Sequence, residues 1–303
     1  MKGRDVISIL DLSREDMLNM FSVADSMAGI AAGKEGSDLL SHKILATLFF
    51  EPSTRTKMSF ESAMMRLGGR CIGFSDIGAT SVVKGENLHD TIKVVESYCD
   101  AIVIRHPKEG AARYAAEVSE KPVINAGDGS GEHPTQTLLD LYTMRNAFGS
   151  IEGKNVFLVG DLKYGRTVHS LARALTIFGA NIFLISPKEL GMPEEVKKDI
   201  RISGEGERIE EYVDVADVIY VTRIQKERFP DAAEYARVAG RYRIDAKLLE
   251  RAKSSAIVMH PLPRVDEIAA DVDSTVHAKY FRQAFNGIPI RMALLSQIIG
   301  GEA

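Results

Sequence analysis

Residues 53–56, Ser-Thr-Arg-Thr, place three hydroxyl groups and one guanidinium where a strand is expected to give way to a helix. The preceding run, residues 44–50, is apolar and partly β-branched, and the residues that follow have helical spacing. Backbone N–H groups and the helix dipole favour an anion at a helix start, and Arg55 adds a planar donor fork. The segment therefore predicts a phosphate site. Taken alone, an ordinary Ser/Thr helix cap beside a surface arginine explains it about equally well.

Further polar clusters follow other predicted strands, at the edge where open α/β sheets bind their ligands. In isolation, a solvated strand end explains Arg105 better than a functional role does, and a helix cap or a satisfied core histidine does the same for His133. The prolines near residue 260 could fix a backbone carbonyl in an unusual direction, through a cis bond. The clusters are Arg105-His106-Pro107, residues 127–136 with His133 and Gln136, residues 222–228, and His260-Pro261-Leu262-Pro263-Arg264.

Residues 160–167 differ from a P-loop by one residue type. Arginine stands where a P-loop has lysine, and a broad guanidinium does not replace a compact ammonium in a tight phosphate cradle. Asp161 would also repel phosphate groups. Arg166 is therefore interpreted as a clamp for a carboxylate, and a P-loop nucleotide-binding protein stays as the alternative from another class.

Strand-like apolar runs alternate with amphipathic helical stretches along the whole chain, which is typical of parallel sheets wound with helices. The predicted fold class is α/β, with two doubly wound parallel-sheet domains joined by helices. The first domain is expected over residues 1–133 and the second over 150–286, with a connecting helix over 134–149. The terminal helix, residues 287–303, is expected to complete the first domain.

The composition is that of a globular protein, with 45% hydrophobic residues among 303 and a net charge of -4. No uniformly basic face is indicated, so no nucleic-acid partner is expected. No apolar run approaches the ~20 residues that span a bilayer, and no signal peptide is recognisable, so we expect a cytoplasmic protein without a membrane partner. Cys71 and Cys99 lack metal-ligand spacing and are predicted to be buried thiols without a chemical role.

Taken together, residues 50–56, 127–140 and 260–264 resemble the aspartate/ornithine transcarbamoylase family over nearly the whole chain. Residues 81–86 and 222–228 are similar to the aspartate-specific members, and Pro261 stands where ornithine-specific relatives carry a cysteine. The resemblance implies transfer of the carbamoyl group of carbamoyl phosphate to L-aspartate, in de novo pyrimidine biosynthesis. A transcarbamoylase for another amine, such as ornithine, and a non-catalytic paralogue are the alternatives. The intact arginines and His133 argue against the paralogue.

The resemblance also implies roles for individual residues. The first domain would bind carbamoyl phosphate and the second aspartate, without a metal, cofactor or covalent intermediate. Thr56, Arg105 and His133 would act on the carbonyl oxygen as catalytic residues. Carbamoyl phosphate would be bound by Ser53, Thr54, Arg55, Thr56, Ser81, Lys84, Arg105, His133, Gln136, Pro261 and Leu262. Aspartate would be bound by Lys84, Arg166, Arg223, Gln225 and Leu262.

Two further implications concern motion and assembly. Glu51 and Arg228 would support domain closure, and the alternative is an ordinary surface ion pair worth ~0–1 kcal/mol. The family arrangement is a homotrimer with shared active sites, in which Ser81 and Lys84 reach a neighbour's site. A lid over the chain's own site is the alternative for that loop. A regulatory chain would be a further partner.

Overall fold

The computed structural model describes residues 1–129, 131–224 and 240–300, and the chain divides into two compact units. Unit 1 comprises Met1–Leu139 with the chain from Phe285 onwards, and unit 2 comprises Asp140–Ala284. None of the described helices is both long enough and apolar enough to cross a bilayer.

Unit 1 contains a parallel sheet of four strands in the order β2-β1-β3-β4. β1 and β3 lie in the centre and are almost entirely buried, as their apolar, β-branched sequences require, whereas β2 is an edge strand with exposed residues. The strands are β1 Ile44–Phe49, β2 Arg70–Phe74, β3 Ala101–His106 and β4 Val123–Asp128. The helices are α1 Arg14–Ser26, α2 Ala28–Ala31, α3 Thr54–Arg66, α4 Leu88–Glu96 and α5 Ala111–Val118.

Unit 2 contains a second parallel sheet, in the order β7-β6-β5-β8-β9. Its strands are β5 Asn155–Val159, β6 Asn181–Ile185, β7 Ile202–Gly206, β8 Val218–Val221 and β9 Ile257–Met259. Its described helices are α7 Arg166–Ile177, α8 Glu194–Lys197 and α9 Ala246–Leu249. Two longer helices, α6 Pro134–Phe148 and α10 Tyr280–Ile299, continue across the boundaries between the units.

Each sheet has one point at which the strand order reverses. The chain leaves β1 towards β2 on one side and returns to β3 on the other, and it does the same at β5, between β6 and β8. Ligands of open α/β sheets bind in the crevice at the carboxyl ends of the strands beside such a point. The predicted α/β class and the two parallel sheets are confirmed. The topology predicts a ligand site at the carboxyl ends of β1 and β3 in unit 1 and of β5 and β8 in unit 2.

Two elements differ from what the sequence pattern predicts. The terminal helix α10 begins at Tyr280, before the expected start near residue 287, and Pro289 lies inside it. A proline removes one helical hydrogen bond and weakens the helical signal around it. Strand β7 was not predicted, because glycine is unfavourable in strands. A Cβ atom at Gly204 would come within 2.9 Å of the Phe183 ring, so close packing against β6 requires the glycine.

Candidate active site

Three of the predicted polar segments meet at one edge of the unit 1 sheet. Phe49 pairs with Arg105 in the register of β1 and β3, and His106 pairs with Asp128 in the register of β3 and β4. The Phe50 N–H continues this pairing by donating to the Arg105 carbonyl at 2.8 Å. The chain segments that follow β1, β3 and β4 therefore start side by side, at the carboxyl end of the sheet.

The first turn of α3 leaves its polar groups available for a ligand. Ser53 is the N-cap residue, but its side chain makes no cap hydrogen bond, which contradicts the simple capping interpretation of this segment. Within the described part of the chain, the hydroxyls of Ser53, Thr54 and Thr56 make no hydrogen bond. Since the first N–H groups of a helix have no intrahelical acceptor, this helix start offers both hydroxyls and backbone donors to an anion.

Two guanidinium groups and one carboxylate lie at the same edge. Arg105 donates from Nη2 to Glu51 Oε1 at 2.5 Å and from Nη1 to the Ala126 carbonyl at 3.2 Å. Its buried Nε has no hydrogen-bond partner among the described residues. Arg55 makes no hydrogen bond or ion pair within the same residues. Glu51 compensates one of the two positive charges, so the cluster favours an added anion.

Burial and mutual repulsion make this pair of arginines unusual. Burial lowers the pKa of Arg105 most, the Glu51 carboxylate raises it, and the positive charge of Arg55 lowers it further. Burial also lowers the pKa of Arg55. Both guanidinium groups stay charged at neutral pH, because an arginine pKa lies far above 7. A bound dianion would relieve the repulsion, and the partial burial strengthens that attraction.

The turn after β4 is held by a buried network that the sequence did not reveal. Asn125 Nδ2 donates to Asp128 Oδ1 at 3.0 Å, and Asn125 Oδ1 accepts from the Gly127 N–H at 2.8 Å. Asp128 also accepts from the N–H groups of Gly110, at 2.9 Å, and Glu132, at 3.1 Å. An Asx residue before a glycine-rich turn is the signal that could have indicated the network. This network fixes the backbone of the turn that leads to His133.

His133 is buried and immediately precedes α6. Its carbonyl accepts from the N–H groups of Gln136, at 3.0 Å, and Thr137, at 3.2 Å. These are the first hydrogen bonds of the helix, so the backbone of His133 is fixed at the start of α6. Gln136 follows in the first turn of the same helix.

The segment with Ser81 and Lys84 is a 3-10 turn on the surface of unit 1. Thr80 caps it by accepting from the Val82 N–H, and Val83 is 61% exposed. Within the part of the chain that the structure describes, the Ser81 and Lys84 side chains make no hydrogen bond or ion pair. Two polar groups are therefore presented outwards on a short, defined turn.

In unit 2, the turn after β5 is organised differently from a P-loop. Asp161 Oδ1 accepts from the N–H groups of Lys163, at 3.1 Å, and Tyr164, at 2.9 Å. Asp161 is fully buried. Its carboxylate occupies backbone donors that a phosphate would need. A Cβ atom at Gly160, where φ is +114°, would lie 2.4 Å from the Thr222 carbonyl oxygen. The turn is tightly packed, and this geometry argues against the P-loop alternative.

Arg166 and Arg223 flank the point where the strand order of unit 2 reverses. Arg166 is the first residue of α7, and Arg223 follows β8 directly after Thr222. Val159 pairs with Val221, so the chain leaves β5 and β8 at neighbouring positions. The Thr222 hydroxyl donates to the Val159 carbonyl at 3.2 Å and ties the two strand ends together.

The chain leaves β9 through His260, Pro261 and Leu262. Leu262 has a φ of +54°, in the left-handed region that costs a bulky residue about 1–3 kcal/mol and persists only where the surroundings impose it. The peptide bond between Leu262 and Pro263 is cis. This is the unusual backbone direction that the proline-rich motif suggested.

Two predicted site residues, Gln225 and Arg228, lie outside the described residues. Among the residues that are described, no group of three or more His, Cys, Asp or Glu side chains could hold a metal ion. Glu51, the other predicted closure residue, contacts Arg105 within unit 1. Its part in domain closure stays a prediction.

The fold and the paired arginines define a class: an α/β protein with two parallel sheets, each of which presents cations at its strand reversal. Residues 4–146 match the family model "Aspartate/ornithine carbamoyltransferase, carbamoyl-P binding domain", and residues 152–298 match "Aspartate/ornithine carbamoyltransferase, Asp/Orn binding domain". The chain belongs to the aspartate/ornithine carbamoyltransferase family. The predicted family and enzyme class, a carbamoyltransferase, are confirmed.

Individual relatives align with this chain over nearly their full length. The aspartate carbamoyltransferase catalytic subunit of Archaeoglobus fulgidus is 57% identical over 296 residues, covering 98% of this chain and 99% of the relative. The subunit of the same name from Thermococcus onnurineus is 58% identical over 303 residues, covering 99% and 98%. The structure of Trypanosoma cruzi aspartate transcarbamoylase in complex with carbamoyl phosphate and aspartate has a TM-score of 0.94 at 41% identity, covering 99% and 98%. The catalytic subunit of M. jannaschii aspartate transcarbamoylase has a TM-score of 0.90 at 51% identity, covering 98% of each chain.

Proposed function

We propose that this chain transfers the carbamoyl group of carbamoyl phosphate to L-aspartate, giving N-carbamoyl-L-aspartate and phosphate for pyrimidine biosynthesis. The observation that carries the proposal is the pair Arg55 and Arg105 beside the uncapped start of α3. It provides hydroxyls, backbone N–H groups and two guanidinium groups for one small dianion. The names of the relatives, all aspartate carbamoyltransferases, support aspartate as the acceptor.

Unit 1 is proposed to hold carbamoyl phosphate. The hydroxyls of residues 53–56 and the Arg55 guanidinium would bind the phosphate, with Arg105 donating to both the phosphate and the carbonyl oxygen. Thr56, Arg105 and His133 would be the donors aimed at that oxygen, and Gln136 with the carbonyls of Pro261 and Leu262 would orient the carbamoyl amine. Hydrogen bonds to charged groups contribute ~1.5–3 kcal/mol each, so a few of them are enough for specific binding.

The chemistry follows from where charge develops. The aspartate amine attacks the carbonyl carbon, a C–N bond forms, and negative charge collects on the carbonyl oxygen of the tetrahedral intermediate. Donors already aimed at that oxygen stabilise the transition state more than the ground state. The C–O bond to phosphate then breaks, the electron pair leaves with the phosphate, and the amine proton is transferred to the same leaving group. No metal, cofactor or covalent enzyme intermediate enters the proposal.

Unit 2 is proposed to hold aspartate. Arg166, Arg223 and Gln225 would bind its two carboxylates, with Lys84 and Leu262 as further contacts. Arginine presents a planar fork that matches a carboxylate, whereas the amides of the turn after β5 are already occupied by Asp161. This difference favours carboxylates over phosphate in unit 2. Glu51 and Arg228 are proposed to act in domain closure.

A homotrimer with shared sites is the proposed assembly. Ser81 and Lys84 are presented outwards on their surface turn, and unit 1 also exposes the apolar side chains of Met58 and Met65 on α3 and of Ile72 on the edge strand β2. An apolar side chain exposed on an edge strand, such as Ile72, favours contact with another chain. The relatives carry the name catalytic subunit, which supports a regulatory chain as a further partner. The cytoplasmic location stays a prediction.

The acceptor is tested by assaying the protein after chelator treatment with carbamoyl phosphate and either aspartate or ornithine. Turnover with aspartate alone is expected. Dominant turnover of ornithine, or activity that returns only with a divalent ion, would contradict the proposal.

The shared site is tested by mixing two variants, Lys84→Ala and Arg105→Ala, each expected to be nearly inactive. After dissociation and reassembly, some interfaces would pair an intact Lys84 with an intact Arg105 of the adjacent chain, and activity should return. Confirmed mixed oligomers that stay inactive would show that both residues serve the same chain, as a lid would.

A further inference from the structure

A buried pair, His260 and Glu267, lies directly behind the Pro261-Leu262 backbone. His260 Nε2 and Glu267 Oε1 are 2.7 Å apart, and both side chains are buried. The other ring nitrogen, His260 Nδ1, accepts from the Leu262 N–H at 2.7 Å. None of the roles proposed for the site residues uses either side chain.

The hydrogen bonds fix the tautomer of the ring. A nitrogen that accepts from a backbone N–H carries no proton, so Nδ1 is unprotonated and the ring proton sits on Nε2, from which it is donated to Glu267. Glu267 Oε2 accepts in turn from the N–H groups of Val265, at 3.2 Å, and Asp266, at 3.1 Å. Burial raises the pKa of the Glu267 carboxyl, but hydrogen bonds from His260 and from the backbone outweigh it and hold that pKa below its usual value. The pair is therefore a neutral imidazole and a carboxylate.

The backbone of His260 is held as firmly as its ring. Its N–H donates to Gln283 Oε1 at 2.9 Å, and Gln283 Nε2 donates to Asp140 Oδ1 at 2.6 Å. The buried hydroxyl of Tyr220 donates to the other oxygen of Asp140 at 2.8 Å. A chain of buried hydrogen bonds within unit 2 therefore holds the backbone of His260, whose ring contacts Leu262.

Leu262 is the residue that most needs such support. Its positive φ is unfavourable for a leucine, and the hydrogen bond from its N–H to His260 Nδ1 holds the peptide plane between Pro261 and Leu262. That plane carries the Pro261 carbonyl, and the next one carries the Leu262 carbonyl. The directions of both carbonyls therefore depend on the position of the imidazole.

We infer that His260 and Glu267 are positioning residues, which aim the Pro261 and Leu262 carbonyls by holding the Leu262 N–H on an unprotonated Nδ1. The inference rests on the proposed function, in which those carbonyls orient the reacting amine groups. Misplacing a reacting group by about 1 Å can cost roughly 100-fold in rate. The pair would thus act on kcat without touching the substrates.

Two substitutions separate the two ends of the ring. In His260→Asn, the amide oxygen can take the place of Nδ1 and accept from the Leu262 N–H, but the side chain is too short to reach Glu267. In His260→Gln, the amide nitrogen can take the place of Nε2 and donate to Glu267, but the acceptor for Leu262 is lost. We expect kcat to fall roughly 10- to 100-fold in His260→Gln and about threefold in His260→Asn. KM for aspartate should change less than kcat in both, because Arg166 and Arg223 are intact.

His277→Asn is the matched control, since His277 is a buried histidine of the same unit whose Nδ1 lies 2.8 Å from the Ala256 carbonyl oxygen. It should lower the melting temperature and leave kcat per folded molecule unchanged. Equal losses of kcat in His260→Asn and His260→Gln, or lower stability with unchanged kcat in both, would overturn the inference.

A spectroscopic measurement keeps the inference testable if the parent protein fails to carbamoylate aspartate, which would remove the proposed function. Nitrogen-15 NMR should show a proton on His260 Nε2 and none on Nδ1. Slow exchange of the Leu262 amide proton should persist in His260→Asn and be lost in His260→Gln. An Nδ1-protonated ring, or slow exchange in both variants, would refute the positioning role on its own.

Discussion

The two sheets share one plan but differ in what happens to the first N–H groups beyond the strand reversal. In unit 1, Ser53 does not cap α3, and the donors at the helix start stand beside Arg55 and Arg105. In unit 2, the buried carboxylate of Asp161 accepts from the N–H groups of Lys163 and Tyr164, just before Arg166. The same topology therefore yields one edge suited to a phosphate and another suited to carboxylates. We propose that the availability of these turn N–H groups, together with the arginines beside them, decides between the two ligands.

Electrostatics sharpens the difference. In unit 1, burial and the neighbouring charge of Arg55 lower the pKa of Arg105 despite its pairing with Glu51, so this edge holds repelling cations that a dianion would compensate. In unit 2, a negative charge is built into the turn itself. A phosphate would meet repulsion there, whereas arginine side chains can still reach out to bind a carboxylate.

Replacing Arg105 should give the largest loss of kcat. An unchanged kcat would contradict the contrast between the two units. Arg105→Ala removes the donor that we propose to act on the developing oxyanion, and it leaves Glu51 without this partner. Loss of one such donor typically costs about 100- to 1,000-fold in kcat. Steady-state kinetics with saturating carbamoyl phosphate and aspartate checks the prediction.

Arg113→Ala is the control for that experiment. Arg113 is an arginine of the same unit, with a side chain that is 57% exposed and only a weak contact to Asp11 at 3.8 Å. Exposed ion pairs contribute about 0–1 kcal/mol, so activity should stay within about twofold of the parent. A loss comparable to that of Arg105→Ala would mean that net charge, and not position, is responsible.

Arg55→Ala and Arg223→Ala should each weaken the binding of a different substrate. Each removes a charge-assisted contact worth about 1.5–3 kcal/mol, or roughly 10- to 150-fold in affinity. Arg55→Ala should raise the Kd of carbamoyl phosphate and Arg223→Ala the KM of aspartate, as calorimetry and kinetics would report. An Arg223→Ala protein that bound phosphate poorly and aspartate normally would reverse the assignment.

Much of this comparison could be predicted from the sequence, because strand ends are easy to find and parallel strands bring their carboxyl ends to one edge. That places Arg55, Arg105 and His133 together in outline, and Arg166 with Arg223. What the pattern could not tell is which backbone donors are already taken. The hydrogen bonds that Asp161 accepts within its turn and the pairing of Glu51 with Arg105 depend on the turn geometry and the strand register.

The supporting residues were missed for the same reason. Asn125 and Asp128 make their hydrogen bonds across a turn, and Glu267 reaches His260 from seven positions further along the chain. Neither arrangement produces a periodic signal in the sequence. The roles predicted for Gln225 and Arg228 fall outside the described residues and stay predictions.

Removing the Asp161 carboxylate should cost stability without creating a phosphate site. Asp161→Ala leaves two backbone N–H groups in a partly buried turn without their acceptor, at a cost of about 1–3 kcal/mol in the free energy of unfolding. Denaturant titration measures the loss, and Asp161→Asn, which keeps an acceptor oxygen, should lose less. The double variant Asp161→Ala, Arg55→Ala tests whether phosphate binds in unit 2. Tighter binding of inorganic phosphate than in Arg55→Ala would show that the Asp161 hydrogen bonds alone separate the two edges.

The smallest expected effect uses the cysteines, which both lie in unit 1 and therefore report on that unit alone. Burial is the main cause that raises the pKa of Cys99 to about 11, so its thiol should react only when unit 1 opens. In a Cys71→Ser protein, carbamoyl phosphate at about ten times its Kd should slow the labelling of Cys99 roughly tenfold, because a ligand that binds only the folded state stabilises it by RT ln(1 + [L]/Kd).

Aspartate alone should slow that labelling much less, since Lys84 is the one proposed aspartate contact that lies in unit 1. Adding Arg55→Ala to the Cys71→Ser protein should abolish the protection by carbamoyl phosphate, whereas adding Arg113→Ala should preserve it. Equal protection by aspartate and by carbamoyl phosphate would mean that the two units do not bind separate ligands, and the contrast between the open donors of α3 and the occupied donors of the Asp161 turn would then have no bearing on substrate choice.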